Sequence, residues 1–311
     1  MTEFLSQLTK DLHGKWVERL FGPAFLFWAG GLLLRIGPQN LPAKWEELAA
    51  LPLVTQTALL IGAVLVLAAS DRLAEALGFR ILRFLEGYWG WPRPLAAWRA
   101  RWRQKGIQKA RQRWSALMEK QMEGKLTWRE RSELSRLEAR RHYTPRDEED
   151  LTPTRLGDIL RTAETRPRQR YGLDPVLLWP HLWLLLPEDI RDNLSVARQQ
   201  MDRMAQAWFW GLLFSLWAIG AWPSVKVFLL VLALALVWML VAYFLLLQAA
   251  CTFADLLMAT FDTQRWRLYE ALRWPLPTES GPTEIATGEA LTRFIQRGFA
   301  DPPVKYHSAG E

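Results

Sequence analysis

Residues 227–250 read VFLLVLALALVWMLVAYFLLLQAA, a run of 24 residues without a charged side chain. A helix needs about 20 apolar residues to cross a hydrocarbon core of about 30 Å. The run therefore predicts a membrane-spanning helix, and its apolar character continues to Phe261 with Asp255 as the first charge. A helix over 227–261 would be about 52 Å long, some 20 Å more than the hydrocarbon requires. Because protein must cover the surplus, the sequence predicts a helical domain built against the extension.

Three further apolar segments predict three more spans, at residues 20–36, 51–69 and 205–222. A cleavable signal peptide is the alternative for the first of them. It is disfavoured because a polar and amphipathic stretch, 1–19, precedes the apolar run and no A-x-A cleavage site follows it. The expected fold is all-α, a polytopic helical membrane protein with four transmembrane helices.

Lysine and arginine flank the spans unevenly, and this asymmetry predicts the orientation. They gather before the first and third spans and after the second and fourth, whereas the external loop 37–50 and the short connection 223–226 offer only Lys44 and Lys226. Cytoplasmic loops carry the excess of basic residues in membrane proteins. We therefore expect a multi-pass protein of the cell membrane with both termini in the cytoplasm.

The remaining chain is expected to lie on the cytoplasmic side in three parts besides the N-terminal segment 1–19. Residues 70–204 form a helical domain, 251–274 a cytoplasmic extension of the fourth helix, and 275–311 a mostly flexible tail with one short amphipathic helix. Three spans are predicted to continue as helices below the membrane. Apolar residues recur at helical spacing after the second span, and a helix start at Glu188 meets no breaker until Pro223. The apolar segment 175–186 is too short to span and is expected to pack on the overlong fourth helix.

A basic amphipathic helix is predicted over 93–120, where nine lysines and arginines accompany one acid, Glu119. Trp98, Trp102, Ile107 and Trp114 interleave with the charges at roughly helical spacing. A helix of this composition suits an anionic surface, and anionic lipid headgroups are the expected partner. The alternative is a helix whose tryptophans are buried and whose charges only follow the positive-inside bias; nucleic acid is disfavoured because no recognition motif is present. The candidate anion-binding residues are Arg99, Arg101, Arg103, Lys105 and Lys109.

A second arginine group, Arg166, Arg168 and Arg170, is predicted to form a structured turn with Tyr171 and Gly172. Such a turn could bind a phosphate group or the acidic linker, residues 147–150, of a neighbouring chain. Three solvated arginines beside the membrane are the alternative.

The sequence offers little for catalysis or metal binding. It has one cysteine and four scattered histidines, and it contains no nucleotide-binding loop, nucleophile elbow or zinc-protease motif. We therefore expect no enzyme activity, no cofactor and no metal. The spans carry no charge deep in the membrane, which disfavours a pump or coupled transporter.

Two classes of function remain. The first is a non-catalytic membrane scaffold or regulator that presents its basic helical domain at the cytoplasmic face, with a cytoplasmic protein or a second copy as further partner. The second is a homo-oligomeric ion channel with a largely apolar lining, which requires a closed symmetric ring. Its candidate pore-lining residues are Thr55, Gln56, Thr57 and Ser215.

Overall fold

The computed structural model describes residues 22–89, 93–220, 224–299 and 303, and this part of the chain is helical without a strand. The predicted all-α class is confirmed, while the N-terminal segment 1–19 lies outside the described residues. The helices are α1 Pro23–Ile36, α2 Leu41–Ala49, α3 Leu53–Glu86, α4 Arg93–Met122, α5 Trp128–His142, α6 Arg155–Tyr171, α7 Pro175–Leu185, α8 Glu188–Phe214, α9 Trp217–Gly220, α10 Val225–Gln264, α11 Trp266–Ala271 and α12 Pro282–Arg297.

The chain divides into two compact units. The first unit comprises Met1–Leu82 and Asp202–Leu245, and the second comprises Arg83–Met201 and Leu246–Glu311. Three helices, α3, α8 and α10, contribute residues to both units, so each continues without interruption from one unit into the other.

Two helices are long and apolar enough to cross a membrane, α3 with 34 residues and α10 with 40. At about 1.5 Å per residue they are about 51 and 60 Å long. The predicted continuation of the second and fourth apolar runs as single helices is thereby confirmed. Helix α1 is apolar but shorter, at 14 residues.

The third apolar segment is interrupted, and the prediction of an unbroken helix as far as Pro223 is wrong. Helix α8 ends at Phe214, and Ser215 begins a turn that leads into α9. Both the backbone N–H and the hydroxyl of Ser215 donate to the carbonyl of Leu212, at 3.2 and 2.6 Å. A serine that bonds to its own backbone in this way competes with the regular helical ladder.

The core of the first unit packs aromatic rings against small residues. A Cβ on Gly31 of α1 would lie 1.9 Å from the Trp217 ring, and one on Gly211 would lie 3.2 Å from Trp238. Gly211 therefore serves close helix contact within the chain, whereas no described atom lies within 4 Å of a Cβ built on Gly62. Buried residues of this core are Ala24, Ala74, Trp210, Phe214, Ala218, Val231 and Ala235.

The second unit packs against one side of the C-terminal part of α10, where Ala250, Ala254 and Phe261 are buried. Trp179 of α7 lies 6.0 Å from Phe261 of α10 between ring centroids, which confirms that the segment 175–186 packs on the long helix. Helices α4 and α5 form an antiparallel hairpin across Gly124, with Arg113–Glu133 and Lys120–Glu130 ion pairs between them. A capping box formed by Thr127 and Glu130 begins α5.

Helix α6 continues through the three arginines predicted to form a turn. Thr154 is its N-cap, since its hydroxyl accepts from the N–H of Gly157 at 3.0 Å. The helix then runs through the buried Pro167 to Tyr171, so the expected turn over the three arginines is wrong. Burial of one face of α6 outweighs the single backbone bond that Pro167 removes.

Candidate functional site

The polar end of α10 organises the second unit. Asp255 and Asp262 are the only acids in α10. They are seven residues apart, so they project from nearly the same side of the helix, about two turns from each other. Each carboxylate receives a hydrogen bond from a tyrosine hydroxyl and a nitrogen donor from the neighbouring residue.

Asp255 holds the end of α5. The Tyr143 hydroxyl donates to Asp255 Oδ2 at 2.6 Å, and His142 Nε2 lies 3.2 Å from Oδ1. Arg166 Nη1 lies 3.3 Å from the other imidazole nitrogen, Nδ1. Because arginine can only donate, Nδ1 is the acceptor and the imidazole carries its proton on Nε2, which donates to Asp255.

Asp262 holds the end of α6 in the same manner. The Tyr171 hydroxyl donates to Asp262 Oδ1 at 2.6 Å, and Arg170 Nη1 donates to both carboxylate oxygens at 3.1 and 3.2 Å. Burial raises the pKa of Tyr143 and of Tyr171, and the hydrogen bonds to the two carboxylates raise each pKa further. Both phenols therefore remain donors throughout the neutral range.

The two contacts share one construction. A helix ends in a basic residue followed by tyrosine, His142-Tyr143 in one case and Arg170-Tyr171 in the other, and the pair docks on an aspartate of α10. We call these contacts the two tyrosine anchors. Sequence reasoning missed them, although the repeated basic-Tyr ending and the two isolated acids in α10 are visible signals.

Helix α12 completes this cluster. The Arg265 guanidinium lies 4.1 Å from the centre of the Tyr171 ring and donates to Glu284 at 2.8 Å, while only 7% of Glu284 is exposed. The backbones of α6 and α12 meet at two glycines: a Cβ on Gly172 would lie 2.1 Å from the Ile285 carbonyl oxygen, and one on Gly288 would lie 1.9 Å from that of Tyr171. The segment 275–311, predicted to be mostly flexible, thus includes a closely packed helix.

The predicted anion-binding arginines of α6 have different surroundings. Arg170 is paired with Asp262, and Arg166 donates to His142 and lies 3.3 Å from the Met258 sulfur. Arg168 is exposed. The geometry brings Arg166 and Arg170 to the tyrosine anchors, and Arg168 is exposed without belonging to either anchor.

The candidate residues of α4 also fall into two groups. Arg99 donates to the Pro153 carbonyl at 3.0 Å, and Arg103 is paired with Asp158, which is 2% exposed. The other three, Arg101, Lys105 and Lys109, are exposed. Two of the five predicted residues therefore hold α4 to the loop before α6 and to α6 itself.

Trp98 and Trp102 of α4 do not share the buried face, whereas Trp114 is half-buried. Ile107 and Leu117 are buried, whereas Trp98 and Trp102 are 64% and 70% exposed. Nine residues separate Trp98 from Ile107, which at about 100° per residue places them on opposite sides of the helix. The prediction of one apolar face containing all of these residues is wrong for this geometric reason.

Three acids of the acidic linker, residues 147–150, have hydrogen-bond partners within the second unit. Asp150 accepts two hydrogen bonds from Arg161, Glu148 accepts from Gln104 and Gln108, and Asp147 accepts from Gln169. The carboxylates of Asp147, Glu148 and Asp150 are therefore engaged within the chain itself.

Most of the candidate pore residues bond to backbone carbonyls close to them in the chain. Gln56 donates to the carbonyls of Ala49 and Leu51, Thr57 to Leu53, and Ser215 to Leu212. Thr55 is exposed. Three of these four side chains thus satisfy backbone carbonyls beside them.

The chain matches no protein-family model, and no curated protein or solved structure shows significant similarity to it. Many polar groups of the second unit bond to one another across helices.

Proposed function

We propose that this chain is a non-catalytic scaffold or regulator of the cell membrane, with four spans, cytoplasmic termini and a helical cytoplasmic domain fixed to the extended fourth helix. In this proposal α3 and α10 supply two of the spans, α1 supplies the first, and the end of α8 together with α9 supplies the third. Anionic lipid headgroups and a cytoplasmic protein are its proposed partners.

The observation that carries the proposal is the change of character along α10. Residues 227–250 have no charge, and the same helix then carries Asp255 and Asp262, which receive the two tyrosine anchors. Carboxylates are costly inside a membrane unless they are paired. Both acids of α10 are paired, and both lie in its last ten residues, beyond the uncharged run. A helix so divided suits a membrane span that continues into a folded cytoplasmic domain.

The contacts of the second unit favour a scaffold over a catalyst. The buried carboxylate of Asp158 accepts from the Thr152 N–H and hydroxyl at 2.8 and 2.9 Å in addition to its pairing with Arg103. Glu284 is paired with Arg265, and Glu130 with Lys120. Each of these groups is occupied by a partner that fixes one helix to another.

A topology experiment tests the membrane arrangement. In a Cys251→Ser background, Trp45→Cys places a thiol on the connection predicted to be external, and Met122→Cys places one at the exposed end of α4. We expect a membrane-impermeant maleimide to label position 45 in intact cells and position 122 only after permeabilisation. Labelling of both positions in intact cells, or the reverse pattern, would overturn the orientation.

The scaffold proposal is tested by measuring the oligomer mass in lipid nanodiscs and the ion flux through liposomes that contain the protein. We expect a small oligomer or monomer whose liposomes conduct no more than empty ones. A closed ring of several subunits that conducts ions would instead support the channel, and Gln56→Ala would then be the first variant to examine for altered flux.

A further inference from the structure

One exposed face of α4 carries aromatic and basic side chains together. Taking Trp98 as the reference, four further residues lie within about 60° around the helix at 100° per residue. All five are exposed, and we call them the tryptophan–lysine face: Trp98, Arg101, Trp102, Lys105 and Lys109.

The sides of α4 that lie outside this face supply the contacts that hold the helix in its unit. Ile107 and Leu117 are 5% and 0% exposed, and Arg103 is paired with the buried Asp158. The two tryptophans are therefore not needed for the core of the second unit. Large apolar rings that remain exposed on a folded domain mark an interaction surface when they lie together.

The charge of this face selects its partner. The sequence has no acid between Arg93 and Met118, and the first acid of α4 is Glu119. Arg101, Lys105 and Lys109 therefore present three positive charges without a neighbouring carboxylate on their own face. A complementary partner must be anionic and must also accept indole rings.

We propose that the tryptophan–lysine face docks on anionic lipid headgroups, with Trp98 and Trp102 at headgroup depth and Arg101, Lys105 and Lys109 on the lipid phosphates. This inference rests on the proposed function, because membrane spans would keep lipid at a high local concentration. Indole rings favour the membrane–water interface, and basic residues are attracted to an anionic leaflet. A single convex helix face also lacks the groove that would enclose a nucleic-acid strand.

Environment-sensitive fluorescence on the full chain tests the proposal. In the Cys251→Ser background, Trp102→Cys is labelled with a nitrobenzoxadiazole dye and reconstituted into vesicles of phosphatidylcholine alone or with about one third phosphatidylserine. We expect the emission to shift to shorter wavelength and to rise several-fold in the anionic vesicles, and the shift to weaken at high salt.

Two variants make the result specific. The same dye at Trp128→Cys, an exposed tryptophan of α5 outside the face, is expected to show no dependence on lipid charge. Arg101→Gln/Lys105→Gln/Lys109→Gln in the Trp102→Cys protein is expected to abolish the shift. None of these three side chains makes a contact within the second unit that the helix needs, so the variant is expected to fold.

Several outcomes would overturn the proposal. Equal emission at position 102 in both vesicle types would exclude docking on anionic lipid. A shift that survives the triple glutamine variant would exclude the phosphate contacts, and one that is also present in detergent would indicate a protein partner such as a second copy. Resistance of the reconstituted protein to alkaline extraction is scored in parallel, so that failure of membrane insertion is distinguished from failure of this docking.

Discussion

The Tyr143 hydroxyl donates a 2.6 Å hydrogen bond to Asp255, and the Tyr171 hydroxyl donates one of the same length to Asp262, two helical turns further along α10. The two helices that end at these tyrosines are thereby fixed to one side of the long helix. Since Asp255 and Asp262 are the only acids in α10, the arrangement depends on few residues and can be tested by substitution.

Tyr143→Phe is expected to destabilise the second unit by about 1–2 kcal/mol, because it removes a hydrogen bond to a charged acceptor. The midpoint of thermal unfolding in detergent should fall by a few degrees. The control is Glu270→Gln, at an exposed acid of α11, for which we expect no change. If Tyr143→Phe costs as much in an Asp255→Ala background as in the wild type, the bond to Asp255 does not contribute.

Tyr171→Phe is expected to lower the free energy of unfolding by a similar amount. The double variant Tyr143→Phe/Tyr171→Phe should lose nearly the sum of the two amounts. Asp255 and Asp262 are separated by about 10 Å along the helix, a distance at which substitutions usually add within about 0.5 kcal/mol. Unfolding midpoints of the two single variants and the double variant measure this. A double variant no less stable than either single one would show that the anchors act as one unit.

Gly288→Ala is expected to loosen α12 from α6, because the added Cβ would lie 1.9 Å from the Tyr171 carbonyl oxygen. Overpacking of this kind costs about 1–3 kcal/mol. Amide hydrogen exchange over residues 282–297 should become faster. Gly106→Ala, at a helical glycine with no described atom within 4 Å of the new methyl group, is the matched control and should leave exchange unchanged.

Asp158→Ala is expected to be the most damaging of these substitutions, at about 3 kcal/mol, because it leaves Arg103 without its carboxylate and removes the acceptor for two Thr152 donors. Arg101→Ala, two residues before Arg103 but on the exposed face, should change the unfolding midpoint by less than a degree or so. Equal losses in the two variants would contradict the division of these two arginines of α4 into one that is paired and one that is exposed.

The α4–α5 hairpin is expected to loosen in acid. Lys120, together with the backbone and hydroxyl of Thr127, lowers the pKa of Glu130 from its ordinary value of 4.5 to about 2. A carboxylate with a lowered folded-state pKa stabilises fully above about pH 4.5, and this contribution disappears as the pH falls through about 2. Hydrogen exchange over residues 113–142 should therefore quicken in that window after correction for intrinsic rates. Glu130→Gln, which cannot ionise at this position, should flatten the pH dependence of exchange. An unchanged pH profile in that variant would show that another group causes the dependence.

Much of the local structure could be predicted because its causes are local. The capping box at Thr127, the helix start at Glu188 and the continuation of α10 beyond the apolar run depend on residues within a few positions of one another. The end of α8 at Phe214 was missed because the Ser215 turn accompanies the packing of Trp217 against Gly31, which is distant in sequence. The exposure of Trp98 could have been predicted by counting helical angle from Ile107.

The candidate site was less accessible to sequence reasoning. Arg99, Arg101, Arg103, Lys105 and Lys109 look alike in the sequence, but only the folded second unit pairs Arg103 with Asp158, 55 residues away. Likewise Arg166, Arg168 and Arg170 alternate in the sequence, yet Arg170 meets Asp262, 92 residues later. A charge that is paired in the fold is unavailable to a lipid or a phosphate, so the pairing decides which residues can bind a partner.

The sequence by itself determined the helical class and the two long apolar helices, because hydrophobic length and helical spacing are properties of the chain read in order. Only the tertiary structure decided which charged side chains are paired within the protein and which remain unpaired at its surface. The tyrosine anchors join residues more than 90 positions apart, and the glycine contact joins Gly172 to a helix beginning at Pro282. The physical reason is that hydrogen bonds and ion pairs require distances of about 3 Å, which only packing can impose on residues so far apart in the chain.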